Sequence, residues 1–345
     1  MKNFNKGKNM AKIEDTKNKD ELKKTSNNKK MDDFLKEAEE ECGKGCVFSL
    51  FSEEKVNVKR CSSGFLSLDE ILGGGFPYGR IIEIFGPEAT GKTTLALHAI
   101  AEVQKVGGLG LFIDAEHSLN PAYVKNIGIK NLLFSQPEHG ESIFKILSIA
   151  EKNKIDIVVV DSVASLVPKA EIEGDITDNQ IALQARLMSK GVRKLVSLHP
   201  EIIIIFINQL RSKAVGFGGY GNLETPTGGN ALKYFSSIRL EMRKTETLKV
   251  GDKVIGSKIK IKTIKNKVAS PYQECFMDLI FGEGFDKSGD ILEMALKKGI
   301  IKKMGSWYEY NSKKIAQGRE NAISYLKNNP KETEVIVSNI KNKIK

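Results

Sequence analysis

Gly86-Pro87-Glu88-Ala89-Thr90-Gly91-Lys92-Thr93 decides the fold, because these eight residues satisfy G-x-x-x-x-G-K-[ST] in the right surroundings. Arg80-Ile-Ile-Glu-Ile-Phe85 before them reads as a buried strand, and Thr94-Leu-Ala-Leu-His-Ala-Ile100 after them as a helix. In a strand, loop, helix arrangement the glycines let the backbone turn tightly. Several amide N–H groups and the positive end of the helix then converge on a polyphosphate. Lys92 adds a point charge at the β- and γ-phosphates, and the Thr93 hydroxyl is placed to ligate Mg²⁺.

Outward from this loop, strands and helices alternate. Gly110 to Asp114, Ile155 to Asp161 and Glu201 to Asn208 are apolar, β-branched runs of the kind buried in a parallel sheet. Ile238 to Met242, Lys258 to Ile264 and Cys275 to Ile280 continue as strands expected to extend the sheet in antiparallel fashion. Upstream, Phe65 to Leu72 suggests a short helix stopped by Gly73-Gly-Gly75. The expected fold is therefore α/β, with a mostly parallel central sheet.

The 345 residues suffice for one large core and a smaller domain. Residues 1–30 are polar and rich in Lys and Asn, and read as a disordered basic leader. Residues 31–60 hold an amphipathic helix, capped by Asp32 or Asp33 and ended by Gly43 or Gly45, that docks on its own core or on another subunit. The core spans 61–284, a small α+β unit 285–330, and a basic tail 331–345.

A net charge of +11 favours polyanionic partners. The longest apolar run, Ile202 to Ile207, is too short to cross a bilayer, and the amino terminus lacks a secretory pattern, so a cytoplasmic protein without membrane contact is expected. Cys42, Cys46, Cys61 and Cys275 form neither a disulfide ladder nor paired C-x-x-C motifs.

The chemistry gathers at the carboxyl ends of the parallel strands, where open α/β sheets bind ligands. Asp161 follows four aliphatics and is placed to hold Mg²⁺ through water beside Thr93. Glu116, two residues beyond Asp114, is the candidate base that orients the attacking water. Asn208-Gln209 brings an uncharged amide to the same rim, able to sense the γ-phosphate and reset the glycine-rich loop expected from Arg211 to Asn230. Arg186, Lys190 and Arg193 share a helix face suited to a phosphate backbone. Lys258, Lys260 and Lys262 alternate with Ile259 and Ile261; on an unbroken strand, Lys265 and Lys267 would face the other way.

Taken in order, Gly86 to Thr93, Phe112-Ile-Asp-Ala-Glu-His117, Val158-Val-Val-Asp-Ser-Val163, Pro168 to Gly174, Phe206-Ile-Asn-Gln209, Thr227-Gly-Gly-Asn-Ala-Leu232 and Lys265-Asn-Lys267 resemble the bacterial RecA recombinase family. The resemblance runs from about Met31 to Pro330. It implies a RecA-like core with an N-terminal polymerisation helix and a small C-terminal domain. It also implies ATP-dependent filament assembly on single-stranded DNA, pairing with homologous double-stranded DNA, strand exchange in repair, and self-cleavage of a LexA-type repressor in the SOS response. Residue by residue, Gly86 to Thr94 would hold the phosphates, with Lys92 and Glu116 catalytic and Gln209 the γ-phosphate sensor. Thr93 and Asp161 would serve Mg²⁺. Tyr123 would stack on adenine near Asn120, where the family commonly has an acid. Lys265 and Lys267 would reach ATP on the adjacent protomer. Arg186, Ser189, Arg193, Arg211, Gly228, Gly229 and Asn230 would touch the primary DNA strand, and Arg243, Lys260 and Lys262 a weaker second one. The segment Gly218 to Pro226 and the basic end Ile340 to Lys345 depart from the family pattern. A hexameric helicase with the same core fold is the alternative; it predicts closed rings and directional unwinding. A scaffold in which hydrolysis is incidental is a third.

Overall fold

The computed structural model describes residues 28–43, 46–47, 58–175, 182–197, 201–213 and 223–344. Met1–Val58 and Lys59–Lys345 are two separate compact units. In the first, a helix spans residues 28–42 and stops at Gly43, whose φ is +91°. It begins earlier than the expected Met31, so the basic leader ends sooner than its composition indicated; the rest of that leader lies outside the described residues.

The second unit is built on a ten-stranded sheet. In chain order its strands are β1 (Arg80–Gly86), β2 (Gly110–Asp114), β3 (Leu133–Ser135), β4 (Ile157–Asp161), β5 (Ile203–Lys213), β6 (Leu223–Pro226), β7 (Ile238–Val250), β8 (Lys253–Asn266), β9 (Glu274–Ile280) and β10 (Gly284–Phe285). The spatial order is β10-β9-β8-β7-β1-β5-β4-β2-β3, with β6 paired to β5. From β3 to β7 all neighbours are parallel, so β7 joins in parallel rather than in the antiparallel manner expected, and the antiparallel extension starts at β8. Parallel strands need coverage on both faces. Here the helix Lys92–Lys105 covers one face over Ile82, Ile84, Val159 and Ile205, and the helices Gly140–Lys152 and Leu183–Ser197 cover the other over Val158, Val160, Ile204 and Phe206.

Two local departures change the sequence reading. First, β5 runs through Arg211 to Lys213 and pairs antiparallel with β6, so Arg211 to Lys213 and Leu223 to Pro226 are strand rather than part of the expected loop, whose residues 214–222 lie outside the described residues. A ladder partner from outside the local window extends the strand. Second, β8 carries a register shift between Thr263 and Lys265. Buried positions are odd before it (Ile259, Ile261, Thr263) and even after it (Asn266). A bulge moves the following side chains by one place in the alternation. Lys265 therefore lies on the same side as Lys260 and Lys262, not the opposite one, while Lys267 falls just beyond the strand's end.

The carboxyl-terminal part has its own core around Leu292, Ile301, Tyr308, Ile323, Ile336 and Ile340. Residues 331–345 are not a detached basic tail. Pro330–Ile344 is a helix whose Ile336 and Ile340, four apart, are fully buried. Cys42 and Cys46 are free and exposed, Cys61 and Cys275 free and buried. Among the described residues no helix is long and apolar enough to cross a membrane.

Candidate nucleotide and nucleic-acid site

Register brings the polar residues together. Gly86 at the end of β1 pairs with Gln209 on β5, and Asp114 on β2 pairs with Asp161 on β4. Four strand ends thus open on one rim. At Gly86 a Cβ would meet the Met242 carbonyl oxygen at 2.2 Å, so only glycine lets β1 pass β7 here. Gly91 has φ +81° and is the N-cap of the helix Lys92–Lys105, a conformation that side chains resist. Between them the loop wraps a cavity of about 370 Å³ lined by Glu88 to Thr93, Glu116, Asp161, Ile207 and Gln209. Thr90 is buried and donates its hydroxyl to Pro87 O at 2.9 Å, which braces the loop from inside.

The Lys92 ammonium donates to Gly86 O at 3.1 Å and Pro87 O at 2.7 Å. Burial lowers its pKa, against the pull of Asp161, Glu116 and Glu88. A desolvated cation held by two loop carbonyls is poised for a stronger anionic partner. Thr93 Oγ1 donates to Asp161 Oδ2 at 2.5 Å. Burial pushes the Asp161 carboxyl up to about 6, the Thr93 hydroxyl opposing and the Glu116 charge reinforcing the rise. A hydroxyl and a carboxylate side by side form a hard oxygen donor set suited to Mg²⁺, which usually takes only one or two protein ligands and completes its shell with phosphates and water. No group of three or more His, Cys, Asp or Glu able to hold a metal occurs among the described residues.

Glu116 is on the exposed rim, and two donors converge on its Oε1. Gln209 Nε2 lies at 2.7 Å, and the Ser162 hydroxyl bonds the same oxygen. Ser162, fully buried directly after Asp161, was missed in the sequence, where a serine beside an acid carries no signal of its own.

A second cavity of about 260 Å³ shares Thr93 and Asp161 and is lined by Phe112, Asp114, Ser118, Leu119, Asn120 and Tyr123. Tyr123 OH bonds Thr94 Oγ1 at 2.8 Å, which fixes the phenol to the helix after the phosphate loop. Asn120 caps the helix Pro121–Ile127, its Oδ1 accepting from Ala122 N at 2.9 Å and Tyr123 N at 3.4 Å.

The residues expected at DNA form two groups. On the helix Leu183–Ser197, Arg186 and Arg193 are exposed and Ser189 half-buried, while Met188, Val192 and Leu195 face the core. Gly228 and Gly229 have φ +76° and +75° and wedge against Val163 and Ala185, so the stem of the glycine-rich segment meets this helix, with the exposed Asn230 beside it. The Arg211 backbone lies in β5; its side chain is outside the described residues.

The second group is on β7 and β8. Arg243 Nη2 pairs with Glu241 at 2.8 Å and Lys260 with Glu274 at 2.7 Å, while Lys262 is half-buried. Lys265 Nζ donates to Lys233 O and Tyr234 O, both at 2.9 Å, and Lys267 is exposed.

Comparison with known proteins places the chain in a family. The family model described as "RecA N-terminal domain" matches residues 29–286, and that described as "RecA C-terminal domain" matches residues 289–345. "Protein RecA" of Halalkalibacterium halodurans is 49% identical over 317 residues, covering 90% of this chain and 90% of the relative. "Protein RecA" of Mycoplasma mycoides subsp. mycoides is 49% identical over 321 residues, covering 91% and 92%. "Protein RecA" of Campylobacter lari is 48% identical over 322 residues, covering 92% and 93%. With both domain models matched in order and half the aligned residues shared across nine-tenths of its length, the chain belongs to the RecA family.

Proposed function

We propose that ATP held at the phosphate loop, with Mg²⁺ between Thr93 and Asp161, governs assembly of this chain on single-stranded DNA and is hydrolysed with Glu116 as base. The family supplies the activity class: a DNA-dependent ATPase acting in recombination and repair. The observation that carries the residue-level reading is the convergence of Lys92, Thr93, Asp161, Glu116 and Gln209 on one cavity.

In this reading the loop amides from Glu88 to Thr93 cradle the phosphates, with Lys92 leaving the carbonyls of Gly86 and Pro87 for the anion. Mg²⁺, when bound, would neutralise charge on the phosphate oxygens. Thr94 braces Tyr123, which stacks on adenine beside Asn120. Gln209 leaves Glu116 for the γ-phosphate, and the freed carboxylate takes a proton from the attacking water. Lys265 and Lys267 extend to the nucleotide of a neighbouring protomer, so that assembly completes the site.

Arg186, Ser189, Arg193, Arg211 and Gly228 to Asn230 hold the primary DNA strand, and Arg243, Lys260 and Lys262 a second one during homologous pairing. The protein acts in the cytoplasm, and its filament promotes self-cleavage of a LexA-type repressor.

The deciding experiment combines electron microscopy with ATP turnover, with and without single-stranded DNA, for the wild type and Glu116→Gln. The variant is expected to bind ATP and form filaments while losing about 100-fold or more in turnover, the usual contribution of a positioned base. Wild-type turnover in Glu116→Gln removes that residue from its role, and closed rings in place of filaments favour a helicase.

A further inference from the structure

A buried chain of polar groups starts next to Gln209 and ends at the stem of the glycine-rich segment. Asn208 on β5 is 1% exposed. Its Nδ2 donates to Glu83 Oε1 at 2.9 Å and to Thr227 O at 3.1 Å. Its Oδ1 accepts from Gln209 N at 2.9 Å and from Thr227 Oγ1 at 2.6 Å. Two donors and two lone pairs are all in use, so the amide has one workable orientation. Glu83 in turn bonds the Arg239 Nε with its other oxygen, and the two side chains are almost wholly buried.

Packing alone does not account for this arrangement. Glu83 stands between Ile82 and Ile84, and Arg239 between Ile238 and Leu240, all four of them fully buried. A buried ion pair is often no more stabilising than aliphatic residues of the same size. What the carboxylate adds is direction: it fixes the Asn208 amide so that the oxygen faces Gln209 N and the Thr227 hydroxyl. Thr227 is also the residue immediately before Gly228 and Gly229, and its own N–H donates to Gln209 O at 3.3 Å.

We propose that Asn208 and Thr227 form a positioning relay through which DNA seated at Gly228 to Asn230 re-aims Gln209 and thereby accelerates ATP hydrolysis. A pull on Gly228 moves Thr227, whose hydroxyl and carbonyl are both bonded to the Asn208 amide, and that amide is bonded to the Gln209 backbone. Gln209 Nε2 holds Glu116 at 2.7 Å, so a change in its aim changes whether the base is free. The relay rests on the roles given above to Gln209, Glu116 and the loop glycines, and assigns the path between them.

Thr227→Val keeps the side-chain shape and the carbonyl but removes the hydroxyl donor. The test measures steady-state ATP hydrolysis of the full chain with and without an oligo(dT) single strand, the KM for ATP, oligo(dT) affinity by fluorescence anisotropy, and the urea midpoint. The ratio of DNA-stimulated to basal kcat is expected to fall by about fivefold or more, the lower end of ordinary coupling between sites. Basal kcat, KM and oligo(dT) affinity stay near wild type, and Thr227→Ser restores the ratio. A structural role alone lowers the urea midpoint and leaves the ratio intact. Undiminished stimulation in Thr227→Val, with the wild type stimulated, overturns the relay and leaves the function standing. A wild type that oligo(dT) does not stimulate overturns the proposed function and the relay with it.

Discussion

Replacing Asp161 with asparagine should stabilise the ligand-free protein at neutral pH while damaging the site. Asp161 is 5% exposed, and burial lifts its carboxyl from 3.8 to about 6. A rise of that size corresponds to roughly 3 kcal/mol held against the folded, ionised form. The folded protein binds this proton more tightly than the unfolded chain does. The stabilisation from protonation is therefore complete below 3.8, is lost as pH rises through about 6, and is absent at neutrality.

The replacement amide would not carry the charge, yet its oxygen can still accept from Thr93. In metal-free buffer at about pH 7.5, Asp161→Asn should unfold at a higher urea concentration, a gain of about 1–3 kcal/mol that narrows toward pH 5. Adding Mg²⁺ and ATP should reverse the ranking, because a ligand stabilises by its affinity for the folded state and the variant has lost a carboxylate that would hold the ion. A variant no more stable than wild type at neutral pH, or a gap that ignores acidification, refutes the reasoning.

Two further outcomes follow from charge placement. Arg239→Met leaves the Glu83 carboxylate, 1% exposed, with Asn208 as its remaining side-chain partner among the described residues, and should lower stability by about 3–5 kcal/mol in urea titration, most of it recovered by adding Glu83→Leu; a neutral single variant would contradict the pairing. Affinity for single-stranded DNA should fall with salt at a log-log slope of roughly 0.7 per neutralised phosphate, and a flat response would remove the basic faces from the contact.

The phosphate loop and its flanking strand and helix were legible because every signal there is local: G-x-x-x-x-G-K-T, an apolar run before, a helical run after. The placement of Glu116, Asp161 and Gln209 on one rim was legible too, since parallel strands deliver their carboxyl ends to the same edge. What escaped depended on distant partners. The continuation of β5 to Lys213 needs β6 as its ladder, and the bulge at Thr263 is set by pairing with β7, not by any glycine in Lys262-Thr-Ile-Lys265. Glu83 did leave a trace, an acid inside the apolar run Ile81 to Phe85, whereas Arg239 is one of several charges in its strand; their adjacency was hidden, because the chain supplies β1 and β7 from segments 156 residues apart. In Pro330–Ile344 the basic end, with Lys341 and Lys343, drew attention from the four-residue spacing of Ile336 and Ile340.

That adjacency bears on how a single protomer behaves before assembly. Glu83 on β1 pairs with Arg239 on β7, and Arg239 pairs in register with Lys265 on β8. The sheet thus links the phosphate-loop strand to the lysine proposed to serve a neighbour's nucleotide. In the isolated protomer Lys265 is already engaged: its ammonium holds the carbonyls of Lys233 and Tyr234 at the end of the short helix Ala231–Phe235, which directly follows Gly228 to Asn230. Burial lowers the Lys265 pKa, and Lys267 and Arg239 add to the effect. To reach across, Lys265 must give up two hydrogen bonds worth on the order of 1–3 kcal/mol each at most, and a triphosphate offers a charged acceptor able to replace them whereas water on an empty neighbour offers none in excess. The same movement uncaps the helix that follows Gly228 and Gly229. On the proposed roles of Lys265 and of Gly228 to Asn230, assembly that depends on nucleotide, and a DNA segment whose footing changes on assembly, would both follow from one ammonium having two alternative sets of acceptors.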